Sequence, residues 1–164
     1  MTEYPLIAFH LYAQLNSDRV IRLGEEICNI LDNSIQRDLR IDSSSFLLAY
    51  DKYWFWVLGA YEVLRILAQH QECFSSEIGN RLPMLTKKVK KLRIPFAKLE
   101  YSGNHGKIVR NENSVAGVCD KKRDFYFLVK SEQLWARKMI DEVKELLKSI
   151  QLANIKESIE LNIK

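Results

Sequence analysis

The sequence predicts a mainly α-helical fold, a four-helix-bundle-like core with a β-hairpin inserted between the third and fourth helices. Two observations predict it. Apolar residues recur at helical spacing in four segments, and β-prone residues concentrate in one stretch between the last two of them. The chain has 164 residues, of which 47% are hydrophobic and 28% charged. This size and composition suit one globular domain over residues 1–164.

Two helices are predicted in the first half of the chain. Asn16–Asp18 offers capping side chains ahead of an apolar repeat, which predicts a first helix over residues 17–40. Asp42 and the serines after it precede a long segment without proline, which predicts a second helix over residues 44–73. The centre of this helix is apolar on all sides. We therefore expect the other helices to surround it, with Gly59 allowing a close backbone approach.

A third helix and a hairpin follow. A pair of serines precedes an apolar stripe that is interrupted by Pro83, which either kinks the helix or divides it. We expect this helix to cover residues 76–93 and to end before Pro95, because the residue that precedes a proline is pushed out of the helical region. Glycine and polar residues then dominate. Two β-prone runs around a basic turn predict a hairpin at about residues 114–129.

The fourth helix is predicted over residues 131–150. Ser131 supplies an N-cap, and lysines alternate with acidic residues outside a buried apolar stripe. Both ends of the chain allow two interpretations. Residues 4–12 and the alternating residues 159–163 either join the hairpin as strands or stay outside it.

Several classes of function are excluded by what the sequence lacks. Cys28, Cys73 and Cys119 have neither the spacing of a disulfide framework nor that of zinc ligands, and we expect no metal and no cofactor. The signature motifs of nucleotide-binding loops, dinucleotide-binding folds, zinc proteases and serine hydrolases do not occur. No basic leader precedes the apolar residues of the N-terminus, and no apolar run is long enough for a membrane span, so we expect a cytoplasmic protein.

Positive charge is concentrated in the segment from Arg81 to Arg123. It holds twelve Lys or Arg residues and three acids, a net charge of +9, whereas the whole chain carries +4. Surfaces of this kind attract the phosphates of nucleic acids, and we expect this one to bind RNA. The alternatives are that these cations pair with acidic residues of the same chain or that the surface docks to an acidic partner protein. The candidate binding residues are Lys87, Lys88, Lys90, Lys91, Arg93, Lys107, Arg110, Lys121, Lys122 and Arg123.

A second candidate site lies in the second half of the second predicted helix, at Arg65-Ile-Leu-Ala-Gln-His70. Arginine followed four to six residues later by histidine is the defining motif of the HEPN domains, helical-bundle proteins of prokaryotic defence and toxin systems, and this chain resembles them. The resemblance implies a metal-independent RNase that acts as a homodimer. In it, His70 would handle the proton of the 2′-hydroxyl or of the leaving oxygen, and Arg65 would stabilise charge on the phosphate.

Arg65 and His70 also allow a purely structural interpretation. Five residues at about 100° each place the two side chains roughly 140° apart on a regular helix, so they converge only at a helix end or across a dimer. Arg65 would then pair with Glu62. Three functions remain open: an RNA-binding protein, an RNase, and a protein-interaction subunit with a basic docking face. The aromatic run Tyr53–Trp56 most simply fills the core, with base stacking as the alternative.

Overall fold

The computed structural model describes residues 4–98, 100, 101, 104–108 and 114–158, without the side chains of residues 39, 98, 100, 101 and 104–108. Within the described residues there are four α-helices, and a small β insertion lies between the third and the fourth in chain order, which confirms the mainly α-helical fold. The helices are α1 (Leu11–Ser34), α2 (Ser43–Gln69), α3 (Ser76–Lys98) and α4 (Ala136–Ser149). The strands are β1 (Glu100–Tyr101), β2 (Asn104–Ile108), β3 (Gly117–Cys119), β4 (Asp124–Val129) and β5 (Glu132–Trp135).

Helix α2 lies at the centre of the molecule, because it packs against both α1 and α3. Tyr53 and Trp56 of its aromatic run are buried, whereas Phe55 is exposed. The Tyr53 ring stacks against the rings of Trp56 and Phe127, with centroid distances of 5.5 and 5.6 Å. The run therefore fills the core with two of its residues, as expected, and leaves Phe55 at the surface.

A three-stranded antiparallel sheet covers one side of this core. The strand order is β3–β4–β5, with Val118 opposite Phe125 and Phe127 opposite Leu134. Alternate residues of β4 are buried, as expected for a sheet with one face on the core. The hairpin predicted at residues 114–129 corresponds to β3 and β4. The third strand and the separate β1–β2 hairpin were not predicted from the sequence.

Of the two glycines Gly24 and Gly59, it is Gly24 of α1 that the neighbouring helices approach closely. A Cβ atom on Gly24 would lie 2.7 Å from Cγ2 of Ile140 and 3.1 Å from Nε1 of Trp56. The same indole Nε1 donates a hydrogen bond to the Val20 carbonyl at 3.0 Å. Gly24 thus lets α1, α2 and α4 meet, and the prediction of a close approach at Gly59 is wrong.

Helix α1 differs at both ends from its predicted range of 17–40. It begins earlier because His10 caps it. The backbone of His10 is extended, and its Nδ1 accepts a hydrogen bond from the Tyr12 N–H at 3.2 Å. It ends earlier because Ile35 leaves the helix and bridges Ile41. The residues expected to cap α1 therefore lie inside it.

Helix α2 ends at Gln69, whereas the predicted range of 44–73 extends to residue 73. His70 has φ −119° and ψ 36°, outside the helical region. A 3-10 turn, Gln71–Cys73, follows it. The histidine of the candidate motif consequently lies just beyond the end of the helix.

Helix α3 does not end at residue 93 as predicted but continues through Pro83 and Pro95. The side chain of Phe96 is buried, with its ring 5.1 Å from that of Phe127. The Phe96 carbonyl accepts a hydrogen bond from Trp54 Nε1 at 3.3 Å. These contacts with the core hold the last turn of α3 and outweigh the local effect of the proline.

Helix α4 begins later than its predicted range of 131–150. Strand β5 occupies the first part of that range and pairs with β4 across a two-residue turn, Lys130–Ser131. Both turn residues have positive φ, 57° and 96°, which is typical of a type I′ turn. Ser131 therefore does not cap α4. Asp124 of β4 does so, because its carboxylate accepts hydrogen bonds from the Arg137 N–H at 3.1 and 3.3 Å.

The first described residues form a 3-10 helix, Pro5–Ala8, ahead of α1, which rules out the strand alternative for residues 4–12. Near the other end, Phe74 and Ile155 form a single antiparallel bridge. Residues 159–163, the other candidate strand, lie outside the described residues. No helix in the described part of the chain combines the length and the apolarity that crossing a membrane requires.

Candidate functional site

A cleft of about 560 Å³ lies between α1 and α2. Its lining is mainly apolar, because both helices contribute aliphatic and aromatic side chains to it. An apolar pocket with a small number of polar groups is the usual form of a ligand site. The polar lining residues are His10, Tyr12, Asn16, Arg19, Glu62 and His70.

Helix α1 supplies four of these polar residues as a consequence of where it begins. His10 is the N-cap residue, and Tyr12, Asn16 and Arg19 follow at spacings of four and three residues, which keep them on one face. The His10 and Tyr12 rings are 5.6 Å apart. Nη1 of Arg19 donates a hydrogen bond to Oδ1 of Asn16 at 3.1 Å. Arg19 pairs with no acid among the described residues, so its charge is available at the cleft.

His70 reaches the same cleft from the end of α2. Its side chain is half-buried, and Nδ1 lies 3.7 Å from Oε1 of Glu72, too far for a hydrogen bond. Its ring centroid is 6.2 Å from that of Phe9, which belongs to the core. The backbone of His70 lies outside the helical region. The position of its side chain relative to Arg65 is therefore not the one that a regular helix would give.

Arg65 does not line the cleft. Its Nε donates to Oε2 of Glu62 at 2.8 Å, and its Nη1 donates to Oε1 of Gln69 at 2.9 Å. The pairing of Arg65 with Glu62 that the structural interpretation predicts is therefore present. The structure brings His70 of the candidate pair to the cleft and leaves Arg65 beside it.

The basic segment is partly neutralised by acids of the same chain. Lys88 forms an ion pair with Glu142 of α4, and Lys91 forms one with Glu132 of β5. Arg93 lies 3.9 Å from Glu62 and over the ring of Tyr61, 5.0 Å from its centroid. Three of the five candidate residues on α3 thus have intramolecular partners, as the alternative interpretation of the charge predicts.

The other candidate cations differ in their surroundings. Lys87 and Lys90 are exposed, and no ion pair joins either to an acid within the described residues. Lys121 is exposed in the turn between β3 and β4. In the same turn, Lys122 lies over the Trp135 ring, 4.1 Å from its centroid, and Arg123 Nη1 donates to the Asp32 carbonyl at 3.4 Å. The side chains of Lys107 and Arg110 lie outside the described part of the structure.

Sequence reasoning did not find His10 and Arg19 as site residues. Both come together with His70 through contact between two helices, which no local pattern shows. The local signal is the helical spacing of Asn16 and Arg19, and it becomes visible only when α1 is extended back to its true start. Within the described residues, no three His, Cys, Asp or Glu side chains lie close enough together to hold a metal ion.

No protein-family model matches the sequence, and no curated protein and no solved structure matches it either. The proposal for its function therefore depends on the fold and on the geometry of the cleft.

Proposed function

We propose that this protein is an RNA-associated, HEPN-like helical protein that cleaves RNA without a metal ion at the cleft between α1 and α2. One observation carries the proposal. His70 of the candidate motif lines this cleft together with a second histidine, His10, and with Arg19. Imidazole and guanidinium groups are the side chains that metal-independent cleavage of a phosphodiester uses.

The proposed reaction is an internal transesterification. The 2′-oxygen of a ribose forms a bond to the adjacent phosphorus as the bond from phosphorus to the 5′-oxygen breaks. The products are a 2′,3′-cyclic phosphate and a 5′-hydroxyl. His70 takes the proton of the 2′-hydroxyl as general base, for which its ring is free because Nδ1 is out of hydrogen-bond range of Glu72. The leaving 5′-oxygen takes a proton from water.

His10 and Arg19 have a different part in this proposal, since they bind the phosphate. Nδ1 of His10 accepts the N–H of Tyr12, so the neutral ring carries its proton on Nε2 and can donate it to a phosphate oxygen. Arg19 is always charged and stabilises the negative charge that develops in the transition state. Arg65 is held by Glu62. Arg19 therefore takes the part that the HEPN resemblance gives to Arg65.

Incubation of the purified protein with labelled single-stranded RNA in EDTA tests the proposal. The wild type should cut the RNA, and His70→Ala should lower the rate by about 10²-fold or more with an unchanged circular dichroism spectrum. Arg19→Ala should lose more activity than its matched control, Arg22→Ala, which changes an exposed arginine of α1 outside the cleft. Cleavage that survives His70→Ala contradicts the proposal. A larger loss in Arg65→Ala than in Arg19→Ala would favour the pair that the resemblance implies.

The biological setting of the proposal comes from the resemblance. HEPN-like proteins belong to prokaryotic defence and toxin-antitoxin systems and act as dimers, so we expect a homodimer in such a system. The cytoplasm is the expected compartment, which is supported by the three free cysteines of the described residues. Sedimentation equilibrium of the purified protein should give twice the chain mass if the dimer forms.

A second function, RNA binding without cleavage, is favoured by the lysines that have no acidic partner. Lys87 and Lys90 are exposed on α3, and their spacing of three residues places them on one face of the helix. Lys121 adds a third exposed cation from the turn between β3 and β4. Cations that are not committed to the protein's own acids are available for phosphates.

The double variant Lys87→Gln/Lys90→Gln tests this second function. Its affinity for single-stranded RNA should fall, and the slope of log K against log salt should become shallower by about 1.4, because two phosphate contacts are lost. The matched control, Arg37→Gln/Lys156→Gln, removes the same charge from two other exposed positions. An equal loss in both double variants would mean that only net charge matters. No RNA binding by the wild type would leave docking to an acidic protein as the function of this surface.

A further inference from the structure

Gly59 occupies an unusual position in the middle of α2. A glycine in a helix interior destabilises the helix relative to alanine, and such glycines usually allow a close contact. A Cβ atom on Gly59 would meet only Cγ2 of Val20, at 3.7 Å, which is ordinary van der Waals contact. By contrast, a Cβ on Gly24 or Gly79 would lie within 3.0 Å of another atom. Packing among the described residues therefore gives no reason for glycine at residue 59.

The missing side chain of Gly59 instead gives the cleft its depth. Gly59 is one of the lining residues and lies one turn after Phe55 and one turn before Val63, which line the cleft as well. Any longer side chain at this position would project into the space between α2 and Val20. The glycine thus keeps open the apolar part of the cleft, at a cost to the helix.

The walls around Gly59 favour a flat group with apolar faces and a polar edge. Val20 and Trp56 are buried below. Phe55 is 60% exposed, and its ring lies edge-to-face with that of Trp54 at a centroid distance of 5.0 Å. Two polar side chains lie in the same lining. The Asn16 amide retains its N–H donors, since its Oδ1 accepts from Arg19, and the Glu62 carboxylate has acceptor oxygens. Aromatic rings stack on bases, and amides and carboxylates bind base edges.

We propose that Gly59 keeps open a seat for one unstacked base of single-stranded RNA, held against Val20 and Phe55 while its phosphate lies at Arg19. This inference rests on the proposed function, because the base held in the seat would position the bond that is cleaved. Single-stranded RNA is commonly recognised through bases that are splayed out and stacked on aromatic side chains. The seat accounts for a helix-interior glycine that the packing of the protein does not need.

Amide chemical shifts measured by NMR on isotopically labelled protein test the seat separately from activity. The probes are adenosine 5′-monophosphate, uridine 5′-monophosphate and ribose 5-phosphate, which carries the phosphate and the sugar without a base. At least one nucleotide should shift the amide resonances of Gly59 and Val63, whereas ribose 5-phosphate should shift mainly that of Arg19. Equal shifts at Gly59 with ribose 5-phosphate would overturn the proposal.

Substitution at Gly59 provides the second arm of the test. Gly59→Ala should fold normally and weaken nucleotide binding, and Gly59→Leu should weaken it about tenfold or more by filling the seat. The matched control, Gln69→Leu, places the same side chain on an exposed position of α2 outside the cleft and should bind as the wild type does.

The results separate failure of the seat from failure of the proposed function. Nucleotide shifts at Gly59 that are lost in Gly59→Leu, in a protein that never cuts RNA, would support the seat and reject the cleavage. RNA cleavage that is equally fast in the wild type and in a folded Gly59→Leu would support the cleavage and overturn the seat.

Discussion

At the scale of single residues, Asp124 joins two elements through one buried carboxylate. It belongs to β4, is 3% exposed, and accepts hydrogen bonds from the N–H of Phe125 at 2.8 Å and from that of Arg137 in the first turn of α4 at 3.1 Å. Burial raises the pKa of Asp124 to about 6, which these hydrogen bonds lower only in part. The junction between the sheet and α4 therefore links stability to pH.

The pKa of Asp124 gives a prediction with a defined sign. Because the folded-state pKa is raised from 3.8 to about 6, the contribution of Asp124 to the free energy of unfolding is fully present below the unfolded pKa. It is lost as the pH rises through the folded one. The loss should be roughly 3 kcal/mol, from about 1.4 kcal/mol for each pKa unit. Asp124→Asn keeps an acceptor for the two N–H groups and does not titrate.

Urea denaturation of wild type and Asp124→Asn across a range of pH measures this effect. The variant should gain stability relative to the wild type as the pH rises from about 3 to about 7. The difference between the two proteins cancels the pH dependence that other groups contribute to the free energy of unfolding. One such group is Glu25, whose contribution has the opposite sign because hydrogen bonds from Lys144 and Lys148 lower its pKa. A stability difference that does not change with pH would contradict the role given to Asp124.

A spacing pattern in the sequence indicates one histidine of the cleft and not the other. The spacing from Arg65 drew attention to His70, which does line the cleft. His10 has no such spacing, and its importance follows from capping α1 and from facing α2 across the cleft. Side chains that come together only through packing between helices are not visible in a local pattern.

At the scale of elements, the turn between β4 and β5 shows why a boundary could not be predicted. Type I′ turns favour Asn-Gly, because both central residues need positive φ. This turn is built from Lys130 and Ser131 instead, with φ values of 57° and 96°. Without the usual signature, Ser131 before an acidic residue indicates a helix cap, and the sequence alone places the residues of β5 in α4.

Replacing the turn with its preferred residues should stabilise the sheet. Lys130→Asn/Ser131→Gly removes two side chains from strained backbone and should raise the free energy of unfolding by about 0.5–1 kcal/mol. Thermal unfolding followed by circular dichroism would detect the change. Since the two side chains are exposed, no lost contact should offset the gain. A lower melting temperature would show that the turn has a different geometry.

The helices themselves were predictable, and their ends were not. Apolar spacing located all four. Helices α1 and α3 bury a face against the central α2, and α4 buries one against α1, α3 and the sheet. The ends depend on partners from elsewhere: His10 caps α1, Phe96 extends α3 past Pro95, and Asp124 caps α4 from another element. Tertiary contacts of this kind override local preferences at helix termini.

At the scale of the whole molecule, the positive charge of the basic segment is partly balanced by acids of the same chain. The segment from Arg81 to Arg123 carries +9, but α3 lies beside acids of α4 and β5, and Lys88 and Lys91 pair with them. Composition alone could show the excess of charge and not where its partners are. Within this segment, the described lysines without an acidic partner lie on α3 and in the turn between β3 and β4, outside the α1–α2 cleft.

NMR mapping of the binding surface shows whether RNA binds in the α1–α2 cleft, as we propose. The ligand is a single-stranded 2′-O-methyl oligonucleotide, which cannot be cut because its 2′-oxygen has no proton to lose. We expect the largest amide shifts at His10, Gly59 and His70. Shifts confined to Lys87, Lys90 and the turn between β3 and β4, with the cleft unchanged, would contradict it.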